Sequence, residues 1–85
     1  MNYLQRIAEI SVDIEVIRGN FLLFGYSESG HERLSEHIDR INGLYDEVAP
    51  NEKCREAWID LASGASKLRM LIDTASQEIP VGAAA

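Results

Sequence analysis

Apolar side chains recur along this chain in steps of four and three. Tyr3, Ile7, Ile10, Ile14, Ile17, Phe21 and Phe24 follow one another at spacings of 4, 3, 4, 3, 4 and 3. Leu34, Ile38, Ile41, Tyr45 and Val48 repeat the pattern. Cys54, Trp58, Leu61, Ala65, Leu68, Ile72, Ala75 and Ile79 carry it through a third segment. Each set draws a single apolar stripe down one face of an α-helix. Three segments built on one seven-residue rule predict an all-α protein whose helices pack at shallow angles.

One stretch, "ISVDIEVIRGNFLLFGY" at residues 10–26, also fits a second template. From Ile10 to Val16 apolar and polar residues alternate strictly, and Gly19-Asn20 could turn the chain into a second strand. This alternative is an α+β domain with an N-terminal β-hairpin at 10–26 packed on two helices. The hairpin leaves "NYLQRIAEI", residues 2–10, as a stub with helical spacing and nothing to pack on. It also needs a covering layer to be stable. The helical reading explains both parts of the segment and is preferred.

Capping chemistry places the boundaries at about 2–24, 29–48 and 51–78. Asn2, with Gln5 three residues on, can open the first helix, and Gly25 sits where a left-handed residue would close it. "GYSESG" makes the first connection, and Ser29 with Glu32 forms a capping box for the second helix. Pro50 ends that helix, Asn51 caps the third, and Pro80 stops it. Short connections make neighbouring helices antiparallel. The expected organisation is one helical domain over 1–79 and a flexible C-terminal tail over 80–85.

Each helix carries an interior glycine, at Gly19, Gly43 and Gly64. Gly19 and Gly43 lie off the apolar stripes, where a poor helix former is tolerated, and Asn42-Gly43 could interrupt the second helix. Gly64, within "LASGASKL", predicts a close approach by another helix in preference to a bend.

At 85 residues the chain is one small domain with a modest core, the size at which oligomerisation or a partner often supplies missing stability. Eight basic and fourteen acidic residues leave a net charge of −6. That balance opposes binding to a phosphate backbone or an anionic membrane surface. The longest unbroken apolar run, Phe21 to Phe24, is far too short to span a bilayer, and no secretory signal is visible. The single cysteine, Cys54, precludes an internal disulfide and fits a reducing cytoplasmic compartment.

Charge and stripe together leave two surfaces unexplained. Val12, Val16 and Leu23 form a second apolar line on the first helix, with Gly19 between them and Leu22 close by. Three helices cannot easily hide both lines of one of them, so this line is expected to bind another protein, with a homodimer as the simplest closure. The second surface is acidic. Asp46 and Glu47 fall in the last turn of the second helix, where the dipole disfavours them. Glu52, Glu56 and Asp60 form a like-charged ladder on the third. Five carboxylates would surround one end, as a solvated face or a docking patch for a basic partner.

Catalytic patterns are missing. No Gly-rich phosphate loop, Gly-x-Ser-x-Gly elbow, Cys-x-x-Cys pair or His-Glu-x-x-His run occurs. Glu28-x-x-His31 is half of a di-iron pattern without its other half, and is expected to lie in a loop. His37 is read as a partly buried, hydrogen-bonded histidine near Glu36 and Asp39. Cys54 is read as a small buried hydrophobe. Neither cofactor nor metal is expected, nor is enzyme activity. The expected function is a small acidic protein–protein interaction module of the adaptor, chaperone-like or regulatory kind, acting through the apolar face. One alternative is a phage or mobile-element inhibitor that blocks a nucleic-acid-binding enzyme with its acidic end. Another is a structural subunit of a larger assembly.

Overall fold

The computed structural model describes residues 2–78, and within them the chain forms three α-helices: α1 (Tyr3–Phe24), α2 (Glu28–Val48) and α3 (Glu52–Glu78). No strand occurs among the described residues, so the hairpin alternative is excluded: residues 10–24 continue α1 without a break. The expected stop at Pro80 and the tail at 80–85 lie outside the described residues, as does Ile79.

Side chains and glycine set the helix ends. Asn2 accepts the Gln5 amide at 3.1 Å and Asn51 accepts the Cys54 amide at 3.1 Å, each satisfying a donor that the first helical turn leaves unpaired. At the start of α2 the cap is Ser27, which accepts the Gly30 amide at 3.1 Å. The expected box at Ser29 and Glu32 is therefore displaced by two residues, into the helix body, and α2 begins one residue earlier than expected. Gly25 closes α1 with φ 82° and ψ −163°, a backbone region in which a Cβ is strained, while its amide bonds back to the Phe21 carbonyl. At the other turn the Arg55 guanidinium donates to the Ala49 carbonyl at 2.9 Å, supplying positive charge where α2 ends with Asp46 and Glu47.

Cross-helix contacts fix the topology. His31 meets Asp73, Ile41 meets Trp58 and Tyr45 packs on Trp58, so residue numbers rise along α2 as they fall along α3. Arg6 and Ile10 share a groove with Gly43 and Glu47, His37 faces Asp13, and Ile17 and Phe21 lie by Gly30 and Arg33, so α1 and α2 are also opposed. The α1–α3 groove joins Leu4 and Ala8 to Ala57 and Leu61, and Ile17 and Phe21 lie near Ile72 farther along, so α1 and α3 run parallel. The result is an up-down-up bundle in which every helix touches the other two, drawn out to 51 × 20 × 16 Å.

The core follows the predicted stripes along α1 and α3. Ile7, Ile10, Ile14 and Ile17 are buried on α1, and Cys54, Leu61, Ala65, Leu68 and Ile72 on α3. Two expectations fail. Phe24 is 81% exposed, because it is the last residue of α1 and the chain turns away at Gly25 before α2 or α3 can cover it. On α2 the buried line is Leu34, His37, Ile41, Leu44 and Val48, while Ile38 is half-buried and Tyr45 is 42% exposed. Wedged between two neighbours, α2 turns His37 and Leu44 inward. Tyr45 is left on the α3 side, its ring centroid 4.8 Å from that of Trp58.

Gly43 and Gly64 are exposed and Gly19 is half-buried. A Cβ at Gly19, Gly43 or Gly64 would meet nothing within 4 Å, and all three helices run through them unbroken. The close approach expected at Gly64 does not occur within the chain, and Gly43 does not interrupt α2. No described helix is long and apolar enough to cross a membrane.

Candidate functional site

The apolar line on α1 lies at the surface of the bundle. At 3.6 residues per turn, Val12, Val16 and Leu23 lie roughly 160° around the helix from the buried isoleucines. Packing agrees with that placement: Val12 is 62% exposed, Val16 47% and Leu23 77%. The two companion helices cover the isoleucine face and leave this one bare. Gly19 continues the line, so Val12, Val16, Gly19 and Leu23 follow at spacings of 4, 3 and 4, the seam rule of the core repeated on the outside. Leu22, 62% exposed, lies instead on the side of α1 that carries Leu4 and Ala8, which border the α1–α3 groove. Ile59 and Met70 are exposed on the outer side of α3. Sequence reading missed Ile59 and Leu71.

The five carboxylates gather at the end formed by the α2–α3 turn and the start of α1, all of them exposed. They do not share a face. Glu47 borders the α1–α2 groove and Asp60 the α1–α3 groove. Asp46 lies on the outer side of α2, and Glu52 and Glu56 on that of α3. The arrangement is a ring, and a flat basic partner reaches only part of it at once.

The α1–α2 groove, about 450 Å³, has a floor of Ile10 and Leu44 and opens at Gly43. Arg6 and Arg40 stand beside Glu9, Asp13 and Glu47 along it, so no single sign of charge prevails to select a ligand. Among the described residues no group of three His, Cys, Asp or Glu side chains could hold a metal ion.

Two histidine contacts were not legible as such. His31 lies in the first turn of α2, not in a loop, and joins three elements. Its Nε2 is 2.9 Å from the Asp73 carboxylate on α3, and its Nδ1 is 3.0 Å from the Tyr26 hydroxyl in the α1–α2 connection. The neutral ring satisfies both contacts when Nε2–H donates to Asp73 and the phenol donates to Nδ1. The Arg69 guanidinium, 3.7 Å from the other Asp73 oxygen, holds the carboxylate from the far side. This chain clamps the connection onto the end of α3. It has the order of a proton relay; His31 borders a cavity of about 60 Å³ on one side and, with Tyr26, Glu28, Glu32 and Glu36, an open groove of about 510 Å³ on the other.

His37 is buried against α1, with Nε2 3.7 Å from Asp13 and Nδ1 without a partner. The hydrogen bond expected for it is therefore absent among the described residues. Cys54 is buried within the hydrophobic core.

Comparison of the chain with protein-family models, with curated proteins and with solved structures gives no match.

Proposed function

We propose that this protein is a non-enzymatic protein–protein interaction module, adaptor-like, chaperone-like or regulatory, that works through the outer face of α1. The observation that carries the reading is the exposure of Val12, Val16 and Leu23 on the side of α1 opposite the core. Water-exposed apolar side chains aligned along a helix form a ready contact for another helix, and covering what remains exposed of each is worth roughly half or more of the about 1.5–3 kcal/mol for complete burial. Leu22 extends the contact toward α3. A site in the cytoplasm, consistent with a lone buried thiol, belongs to the same proposal.

The test is affinity capture with the full chain, run in parallel with Val16→Asp and with Glu56→Gln as a control at the acidic end. Proteins held through the α1 face are lost with Val16→Asp, retained with Glu56→Gln, and retained when salt is raised from about 0.15 M to about 0.5 M. Equal capture by Val16→Asp, with helix content unchanged, overturns the reading. Loss with Glu56→Gln and at high salt favours the second reading, an inhibitor that meets a basic surface with Asp46, Glu47, Glu52, Glu56 and Asp60. The ring-like spread of those carboxylates is why it stands second.

A further inference from the structure

We infer that the outer face of α1 pairs with the same face of a second copy, antiparallel, with Val16 of each copy seated over Gly19 of the other. This rests on the proposed use of that face and names its occupant.

The line Val12, Val16, Gly19, Leu23 is complementary to itself only in one direction. Run antiparallel about the midpoint between Val16 and Gly19, it sets each valine against the glycine of the facing helix, and Val12 against the facing Leu23. The space above Gly19 is empty, since a Cβ there would meet nothing within 4 Å, so the facing Val16 has a place to enter. Run parallel, the same line sets glycine on glycine and leaves a void, which forfeits contact on both sides. Charge decides the same way. Glu9 continues the line one step before Val12, and a parallel pair would bring the two Glu9 carboxylates together at the seam. In the antiparallel pair Glu9 faces the end of the other helix, Asp13 comes level with Leu22, and Glu15 comes level with Asn20. No like charges meet.

Size and net charge set how the pair behaves. From Val12 to Leu23 the helix advances only about 17 Å, which puts the contact at the small end of specific interfaces. Association is therefore weak and visible as a monomer–dimer equilibrium at roughly 10 µM to 1 mM chain. Each copy carries −6, so the two repel at a distance. Salt screens this repulsion, and dimerisation tightens as salt rises, the reverse of docking on a basic partner.

Sedimentation equilibrium of the full chain over that concentration range, at about 0.05 M and about 0.5 M salt, tests the inference. Val16→Asp and Gly19→Leu accompany the wild type, with circular dichroism confirming that each keeps its helix content. The expected result is a wild-type dimer that strengthens with salt, and a dissociation constant raised at least tenfold by either substitution. Gly19→Leu is the sharper variant, because the open space at Gly19 lets an isolated bundle accept it. A wild type that stays monomeric throughout overturns the inference, and the capture experiment then judges the use of the face independently. A dimer unaffected by both substitutions overturns it too, by placing the contact elsewhere. A dimer broken by Val16→Asp but not by Gly19→Leu overturns the register while leaving the face in use.

Discussion

Trp58 of α3 donates its indole N–H to the main-chain carbonyl of Ile41, in the body of α2, at 2.6 Å. One side chain thus joins the two helices through a directional bond while its ring packs on Tyr45 at a centroid distance of 4.8 Å. Trp58→Phe keeps most of the packing and removes the donor. The expected loss is about 1 kcal/mol, which lowers the midpoint of thermal unfolding by roughly 4–8 °C in a domain of this size. Circular dichroism melting measures it. An unchanged midpoint would show that the bond contributes nothing net.

Leu34 and Phe24 reverse the ranking that their residue types suggest. Leu34 is fully buried, and Leu34→Ala is expected to cost about 2–5 kcal/mol, a large share of the stability of a small domain. Phe24 is 81% exposed, and Phe24→Ser should stay within about 0.5 kcal/mol of the wild type. Urea titration of the two variants decides the matter. A large loss from Phe24→Ser would mean that this ring is covered in solution.

Gly43 and Gly64 sit in helix interiors with open space where a side chain would go. Gly43→Ala and Gly64→Ala should each stabilise the bundle by up to about 1 kcal/mol, through helix propensity and a less flexible unfolded chain. The two sites are on different helices without shared partners, so their effects should add. A differential thermal scan of the singles and the double checks both statements. A loss at Gly64 would reveal a close contact there after all.

Tyr26, His31 and Asp73 are expected to act as a unit. In a double-mutant cycle, Tyr26→Phe and Asp73→Asn should couple through His31 by about 0.5–1 kcal/mol, because each orients the ring for the other. The side chains of His31 and Asp73 are 28% and 44% exposed, and solvent holds the coupling at that modest level. Guanidinium unfolding of the four proteins measures it. Strict additivity would show two unconnected surface contacts.

The helix count and the core of α1 and α3 were legible because spacing alone specifies them. Ile7 to Ile17 and Leu61 to Ile72 leave no competing register at the core. In α2 the pattern is degenerate: Ile38 and Tyr45 compete with His37 and Leu44 for the inward positions, and only the presence of two neighbours resolves which side turns in. The caps Asn2 and Asn51 were recognisable, but Ser27 and Ser29 are two residues apart, and the glutamate after Ser29 pointed to the wrong one. The apolar line on α1 was visible as residues too many for one seam, while its exposure depends on where α2 and α3 lie. The Tyr26–His31–Asp73 chain could not be read at all, because two of its members are brought together by the fold from distant parts of the sequence.

The parallel course of α1 and α3 has a mechanical consequence. Asn2 enters at one end of a molecule 51 Å long and Glu78 lies at the other. A load applied between those two ends runs along the helix axes and tries to slide the helices lengthwise past one another. Contacts along the whole seam then share the force, whereas a bundle whose ends lay side by side would open turn by turn from one edge. Held between two attachments, this chain would behave as a short strut under tension.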